Sequence, residues 1–212
     1  MKRYSNSTIF TIVFLVILAS SADAQVGRGK FGFGLSVAGT RLQSDLKTDD
    51  FGLGASADLS YVLGNNWALV AKVGVNNYNG KNTSNQSVLS TVFYGNVGVS
   101  YDFLPAKQID PFLFGAVGLG FYTPRIDNGA ALTSGKYQMW DMSVSGGVGL
   151  DYYIDESWSV IFAGQAGMLL NDQIDGYKAG DYNDIFGQVS IGIRYYLFDR
   201  SAVQRIVDKL IR

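Results

Sequence analysis

Residues 137–154 read YQMWDMSVSGGVGLDYYI, and their side chains alternate between two kinds. Trp140, Val144, Val148 and Tyr152 fall on one parity, whereas the other parity carries mostly serine, glycine and aspartate. Because side chains along a β-strand point alternately to opposite faces, the pattern predicts a strand with one apolar face and one small, polar face. In a strand tilted by about 40°, the rings of Trp140 and Tyr152 would lie roughly 30 Å apart along a membrane normal, about the thickness of a hydrocarbon layer. The segment is therefore typical of a strand that crosses a membrane.

Seven further segments show the same two-residue period and are predicted as strands near 30–40, 51–63, 67–78, 89–103, 111–122, 158–170 and 185–198. The total of eight is even, as a closed antiparallel barrel of the bacterial outer membrane requires. Short turns alternate with four longer polar connections near 41–50, 79–88, 123–136 and 171–184. Such barrels keep short turns in the periplasm and long loops outside. The prediction is an all-β, eight-stranded antiparallel up-and-down transmembrane β-barrel with both termini in the periplasm.

A soluble eight-stranded barrel of the lipocalin type is the structural alternative, because it also alternates but buries its apolar face. Three features favour the membrane barrel. The polar face is rich in glycine, serine and alanine rather than lysine and glutamate, aromatic residues mark the ends of the apolar face, and most charges fall in connections. The segment 111–122 leaves its own sidedness open, because the face that carries Phe112, Phe114 and Tyr122 has no charge.

The N-terminal residues 1–24 have the pattern of a secretory signal peptide. A basic start precedes a short apolar run, and Ala22-Asp23-Ala24 is a small-x-small cleavage site. A retained N-terminal anchor is the alternative, but the run is short for a spanning helix. The mature barrel domain is then predicted to cover residues 25–198.

Residues 199–212 are predicted to form a periplasmic amphipathic helical tail. Ser201 and Gln204 match a capping box at its start. Its apolar residues follow helical spacing: Val203, Ile206, Val207, Leu210 and Ile211. A helix this short is marginal alone, so we expect it to fold against a surface or a partner.

The composition excludes several classes of protein. The chain has no cysteine, so no disulfide framework holds it together. Its formal net charge is −1, which gives no basic footprint for nucleic acid. No spacing in the sequence indicates a cofactor or a defined metal site. Aspartates 172, 175, 181 and 184 share the last long connection, where a solvated loop is the main interpretation and a weak divalent-cation site the alternative.

Aromatic residues recur at the predicted periplasmic ends of the apolar faces. Because Tyr and Trp collect at membrane interfaces, this recurrence predicts a periplasmic aromatic girdle. Its members are Tyr61, Trp67, Tyr101, Tyr152, Trp158 and Tyr195.

Five charged residues fall on the predicted inward face, all in the periplasmic half. They are Asp58, Lys72, Asp102, Asp151 and Arg194. An eight-stranded barrel is barely wide enough for side chains, and isolated buried charges are costly, so we expect a mutually paired interior charge cluster. The main interpretation is structural; a proton or ion relay, or a gate in a narrow channel, is the alternative.

The last predicted strand carries a known kind of signal in Ser190-Ile191-Gly192-Ile193-Arg194-Tyr195-Tyr196-Leu197. With the other seven strands, it makes residues 30–198 resemble the OmpA/OmpX-like family of eight-stranded outer-membrane barrels. The resemblance implies that Ser190, Gly192, Tyr195 and Leu197 form an assembly signal read by the barrel-assembly machinery. Enzymes with a similar fold use a histidine as general base, and this chain has none, so we expect no enzymatic activity.

The sequence therefore predicts a monomeric barrel of a Gram-negative outer membrane with a packed interior. Its expected role is that of an envelope structural or surface-interaction protein acting through extracellular loops. Expected partners are outer-membrane lipid, including lipopolysaccharide, and an extracellular ligand. A narrow pore for ions or small solutes is the alternative function.

Overall fold

The computed structural model describes residues 31–43, 48–63, 66–81, 87–105, 107–126, 140–155, 157–170 and 185–197. The predicted signal peptide, the helical tail and the last long connection with its four aspartates lie outside these residues. The described residues form nine strands: β1 (Phe31–Gln43), β2 (Thr48–Asp50), β3 (Gly52–Val62), β4 (Trp67–Lys81), β5 (Ser87–Asp102), β6 (Ile109–Ile126), β7 (Trp140–Tyr153), β8 (Trp158–Leu169) and β9 (Ile185–Leu197). No helix among them is long and apolar enough to cross a membrane.

Eight long strands close into one antiparallel barrel. The hydrogen-bonded order is β3-β1-β9-β8-β7-β6-β5-β4, and β4 pairs again with β3 to close the ring. Following paired residues around the ring from Ser159 on β8 leads back to Leu169 on the same strand, ten residues further along. For eight strands this stagger corresponds to a strand tilt of about 40° and an interior that side chains can fill. The predicted fold class is confirmed.

The second predicted strand, 51–63, corresponds to β3, but a short strand, β2, precedes it within the connection predicted at 41–50. Both β2 and β3 pair with β4, but residues 51–53 face only Asn77 and Tyr78 between the pairs Asp50–Asn79 and Gly54–Asn76. The extra residue makes a β-bulge. The hydroxyl of Thr40 donates to the Asn77 carbonyl at 2.9 Å, so this backbone acceptor beside the bulge is hydrogen-bonded.

The apolar face of the barrel points outward. Val148 is 65% exposed, Val97 61% and Leu35 64%, whereas Ser143 and Ser145 on the opposite parity are buried. The lipocalin-type alternative is therefore wrong, because its apolar face would be internal.

Strand β6 also has a defined sidedness, which its sequence left open. Leu113, Val117 and Phe121 are exposed outside, while Phe112 and Tyr122 are buried inside. A Cβ atom on Gly149 of β7 would overlap the Phe112 ring. Glycines on the neighbouring strand thus make room for the inward aromatic rings of β6.

The turns on one side of the barrel are short and hydrogen-bonded. Leu63 N–H donates to the Trp67 carbonyl and Ile154 N–H donates to the Trp158 carbonyl, both at 2.9 Å. We call this side the turn end, and the opposite side, where the longer connections lie, the loop end.

Candidate functional site

Arg194 is the centre of a buried ionic network near the turn end. Its Nε and Nη2 groups both donate to Oδ2 of Asp58, at 3.1 and 2.9 Å. Its Nη1 group donates to Oδ2 of Asp151 at 3.0 Å. All three residues are buried. Because one guanidinium serves two carboxylates, the network stays compensated only while all three members are present.

Hydroxyl groups complete the hydrogen bonds of this network. Ser159 Oγ donates to Oδ1 of Asp151 at 2.6 Å, and the Tyr196 hydroxyl donates to Oδ2 at 3.0 Å. Arg194 Nη1 also donates to the Tyr196 oxygen at 3.2 Å. The Tyr153 hydroxyl lies 3.4 Å from that of Tyr196. Both oxygens of Asp151 are therefore satisfied, as a buried carboxylate requires.

The register of the sheet brings the network together. Gly34 on β1 pairs with Asp58 on β3 at one side and with Arg194 on β9 at the other. Since Gly34 has no side chain, the long Arg194 side chain can cross β1 to reach Asp58. Two residues that are far apart in sequence thus become neighbours only when β9 closes the barrel on β1.

Lys72 and Asp102 lie in the same region of the lumen, but the hydrogen bonds of the Arg194 guanidinium described above go to other residues. Lys72 lies opposite Asp58 in the β3–β4 register. Lys72, Asp102, Asp58 and Arg194 all line one internal cavity of about 60 Å³. The five predicted interior charges therefore share one part of the lumen.

Two further buried carboxylates were not predicted: Asp110 at the turn end, and Asp141, which lies toward the loop end and outside the ionic network. Asp110 Oδ1 accepts a hydrogen bond from Leu104 N–H at 2.9 Å and so braces the turn between β5 and β6. Asp141 Oδ1 accepts one from Met142 N–H at 2.7 Å. Asp141 shares the inward parity of Asp151, so alternation alone could have found it.

Neutral amides occupy the middle of the lumen. Asn76 Nδ2 donates to Gln188 Oε1 at 3.2 Å and to the Tyr78 oxygen at 3.1 Å. Ser143 Oγ donates to Asn96 Oδ1 at 3.2 Å. Sequence reasoning looked for charges and missed this polar layer.

An apolar layer fills the lumen nearer the loop end. Six residues from six strands are buried there and form one hydrophobic cluster: Leu42, Tyr78, Val92, Tyr122, Leu169 and Phe186. From the turn end to the loop end, the interior therefore changes from ionic to polar to mainly apolar, with the buried carboxylate of Asp141 at the level of the apolar layer, where it pairs in register with Gly120.

The predicted girdle residues lie outside, at the turn end. Their rings pair across neighbouring strands: Trp67 with Tyr101 at 5.0 Å between centroids, and Trp158 with Tyr195 at 4.8 Å. Tyr152 accepts a hydrogen bond from Gln108 Nε2, and Tyr61 packs on Phe31 at 4.8 Å.

A second aromatic row lies toward the loop end. Phe93, Phe121 and Trp140 are neighbours in the register and are all exposed. The outward apolar surface is thus bordered by aromatic residues on both sides.

The four predicted assembly-signal residues occupy both faces of β9. Ser190 is buried inside, and a Cβ atom on Gly192 would overlap Ser36 Oγ. Tyr195 packs outside on Trp158, and Leu197 pairs with Phe31 at the start of β1. Their side chains therefore do not form a single surface.

Within the described strands and turns, no group of three or more Asp, Glu, His or Cys residues could hold a metal ion. The interior supports ion pairing and hydrogen bonding by the residues named above.

Comparison with known protein families agrees with the barrel fold. Residues 10–196 match the family model described as outer membrane protein beta-barrel domain. No curated protein sequence matches the chain significantly.

Solved structures also share the fold, among them the following two. Neisserial surface protein A is 14% identical, covers 79% of this chain and 97% of its own, and has a TM-score of 0.59. Ail, the attachment invasion locus protein of Yersinia pestis, solved with the heparin analogue sucrose octasulfate, is 13% identical, covers 79% and 98%, and has a TM-score of 0.51. At these identities the likeness concerns the fold alone.

Proposed function

We propose, from the premise that this chain belongs to the family of outer membrane protein beta-barrel domains, that it is a closed barrel serving the envelope as a structural or surface-interaction protein. The family places it in the outer membrane of a Gram-negative type of cell. In this proposal the termini and short turns face the periplasm, and the longer connections present the binding surface.

The filled interior is the observation that carries the proposal. Arg194 with its two carboxylates occupies the lumen near the turn end, and the apolar layer occupies it near the loop end. The cavities within these two regions have volumes of about 60 and 20 Å³. Each volume suits a few water molecules rather than a passing solute.

Single-channel recording in planar bilayers tests the closed state. The folded wild-type protein should give no stable openings, whereas a general porin in the same bilayer should conduct. Regular conductance steps from the pure folded protein would contradict the proposal and favour the alternative, a narrow pore. The observation that supports the pore is the polar lining of the middle lumen, where Asn76, Asn96 and Gln188 are buried.

The proposed orientation has its own test. An epitope inserted within 127–139, between β6 and β7, should be labelled by antibody on intact cells. The same epitope inserted at Asp155, in the turn between β7 and β8, should be labelled only after the outer membrane is permeabilised. The reverse pattern would place the termini outside.

A non-enzymatic role completes the proposal. The chain has no histidine, so a histidine general base is not available to it. We expect no release of fatty acid when the folded protein is incubated with phospholipid or lipid A in detergent; steady, protein-dependent release would overturn this part.

The partners are proposed on the same basis. The outward apolar surface between the two aromatic rows, which we call the outward belt, would contact outer-membrane lipid and lipopolysaccharide. The barrel-assembly machinery would read β9 with Ser190, Gly192, Tyr195 and Leu197. We propose a monomer with an extracellular ligand bound by the longer connections. Light scattering with detergent correction tests whether the protein is a monomer. A second experiment replaces Tyr195 and Leu197 by Ala and scores folding both in cells and in detergent. It distinguishes a loss of assembly from a loss of stability.

A further inference from the structure

The apolar layer at the loop end spans the lumen. Its members come from six of the eight long strands, so their side chains approach the barrel axis from several directions. Leu169 of β8 and Val92 of β5 both come within 4 Å of the Cβ position of Gly120 on β6, at 3.4 and 3.6 Å. Strands β5 and β8 flank the β6–β7 pair, so side chains from these two strands meet over Gly120.

Beneath this layer, small cavities with both polar and apolar lining residues follow one another along the lumen. The first, about 20 Å³, and the second, also about 20 Å³, share Asn96 and Gln165 in their linings. The second and the third, about 60 Å³, share Lys72 and Phe114. Because neighbouring cavities share lining residues, a row of adjoining cavities runs from the apolar layer to the ionic network.

Polar atoms without a protein partner face this part of the lumen. Asn76 Oδ1, Gln165 Oε1 and Ser145 Oγ are fully buried and make no hydrogen bond within the described residues. Asn76 and Gln165 line the first cavity, and Ser145 and Gln165 line the second. A cavity of roughly 10–15 Å³ or more with polar partners can hold a water molecule, and such water satisfies buried polar groups. The interior beneath the apolar layer therefore fits bound water.

We propose that the apolar layer of Leu42, Tyr78, Val92, Tyr122, Leu169 and Phe186 is the permeability barrier of the barrel, and that the polar lumen beneath it is hydrated. An apolar constriction excludes ions because they would lose their water there. This inference rests on the proposed closed barrel and assigns the barrier at the loop end to this one layer. The packed side chains of the ionic network close the turn end, where their charged groups can be hydrated.

The chain has no cysteine, so a single introduced thiol can report access. Ser143 lies inside and lines the first cavity beneath the layer, and Ser143→Cys changes its volume little. The probe is a small cationic methanethiosulfonate added to the folded protein in detergent. Thr123→Cys, exposed on the outer surface of β6, is the reactive control.

The barrier predicts a specific order of reaction rates. With an intact layer, Cys at 143 should react about tenfold more slowly, or slower still, than Cys at 123. Adding Leu169→Ala and Phe186→Ala should raise its rate by about tenfold or more, whereas adding Arg194→Gln should leave it slow. Gel mobility with and without boiling confirms that each variant is folded, and Leu169→Ala alone replaces the double change if that variant does not fold.

Three results would overturn the inference. The first is a reaction at 143 as fast as at 123 with the layer intact. The second is no acceleration in a folded variant that lacks Leu169 and Phe186. The third is equal acceleration by Arg194→Gln, which would assign the barrier to the ionic network. In the second and third cases a silent wild-type protein in bilayer recordings would leave the proposed function standing.

Discussion

Gly34 faces Asp58 so closely across the β1–β3 pair that a Cβ atom on Gly34 would overlap the Asp58 carboxylate. The same glycine pairs with Arg194 on its other side. The absence of a side chain at this one position is therefore what allows the carboxylate and the guanidinium to meet over β1.

Gly34→Ala should destabilise the barrel. The added methyl group must displace the Asp58 carboxylate from its ion pair with Arg194, and overpacking of this kind costs about 1–3 kcal/mol. The urea midpoint of unfolding in lipid vesicles measures the effect. Gly39→Ala is the matched control on the same strand, because nothing lies within 4 Å of its Cβ position. Equal midpoints for the two variants would show that the carboxylate moves aside freely.

The sequence predicted the barrel and its sidedness because both depend on a local pattern. Alternation with period two is visible within each strand, and the aromatic ends of the apolar faces are visible too. The bulge at Phe51 was not predicted, because it depends on how β4 faces β2 and β3. The sidedness of β6 needed the structure because large aromatic rings such as Phe112 and Phe121 lie on both of its faces.

The choice of partners in the lumen also lies beyond the sequence. Parity could place Arg194 and Lys72 inside, but not decide which of them pairs directly with Asp58. That choice follows from closure of β9 on β1, which brings together residues separated by 136 positions. The amide and apolar layers were missed for the same reason, since neither is a pattern along one strand.

Arg194→Ala should lower the unfolding free energy strongly. It leaves Asp58 and Asp151 as buried carboxylates without their cation, and breaking a buried pair in this way costs about 3–5 kcal/mol. The melting temperature in detergent and the urea midpoint should both fall. Arg125→Ala, on the exposed outer surface of β6, is the control and should change neither. An unchanged melt for Arg194→Ala would show that the network contributes no net stability.

Tyr196→Phe should have a smaller effect that isolates one hydroxyl. The change removes the hydrogen bonds of that hydroxyl with Asp151 and Arg194 but keeps the ring. Hydrogen bonds to charged groups contribute about 1.5–3 kcal/mol, so we expect a loss in that range. Tyr195→Phe, one residue earlier and facing outward against Trp158, should be close to neutral. A larger loss for Tyr195→Phe than for Tyr196→Phe would contradict the interior network.

Val97→Arg tests the sidedness of the whole barrel. Val97 is exposed and lies four residues from both Phe93 and Tyr101, the aromatic residues that border the outward belt on β5. An arginine at the middle of a lipid-facing surface costs about 2–4 kcal/mol. Thr123→Arg, just beyond Phe121 toward the loop end, should cost much less. Unfolding in lipid vesicles measures both, and an equal cost would mean that the belt is not immersed in lipid.

Deletion of residues 201–212 should leave the barrel folded. Strand β9 ends at Leu197 and is already paired along its length with β1 and with β8. The backbone hydrogen bonds that close the barrel are therefore complete before the deleted segment begins, and closure is what stabilises a sheet in lipid. Gel mobility with and without boiling should show the same folded band for the shortened and the full chain. A deletion that extends back to residue 190 is the control and should abolish that band, because it removes the part of β9 that carries Arg194. Loss of the folded band in the shorter deletion would show that the tail takes part in assembly.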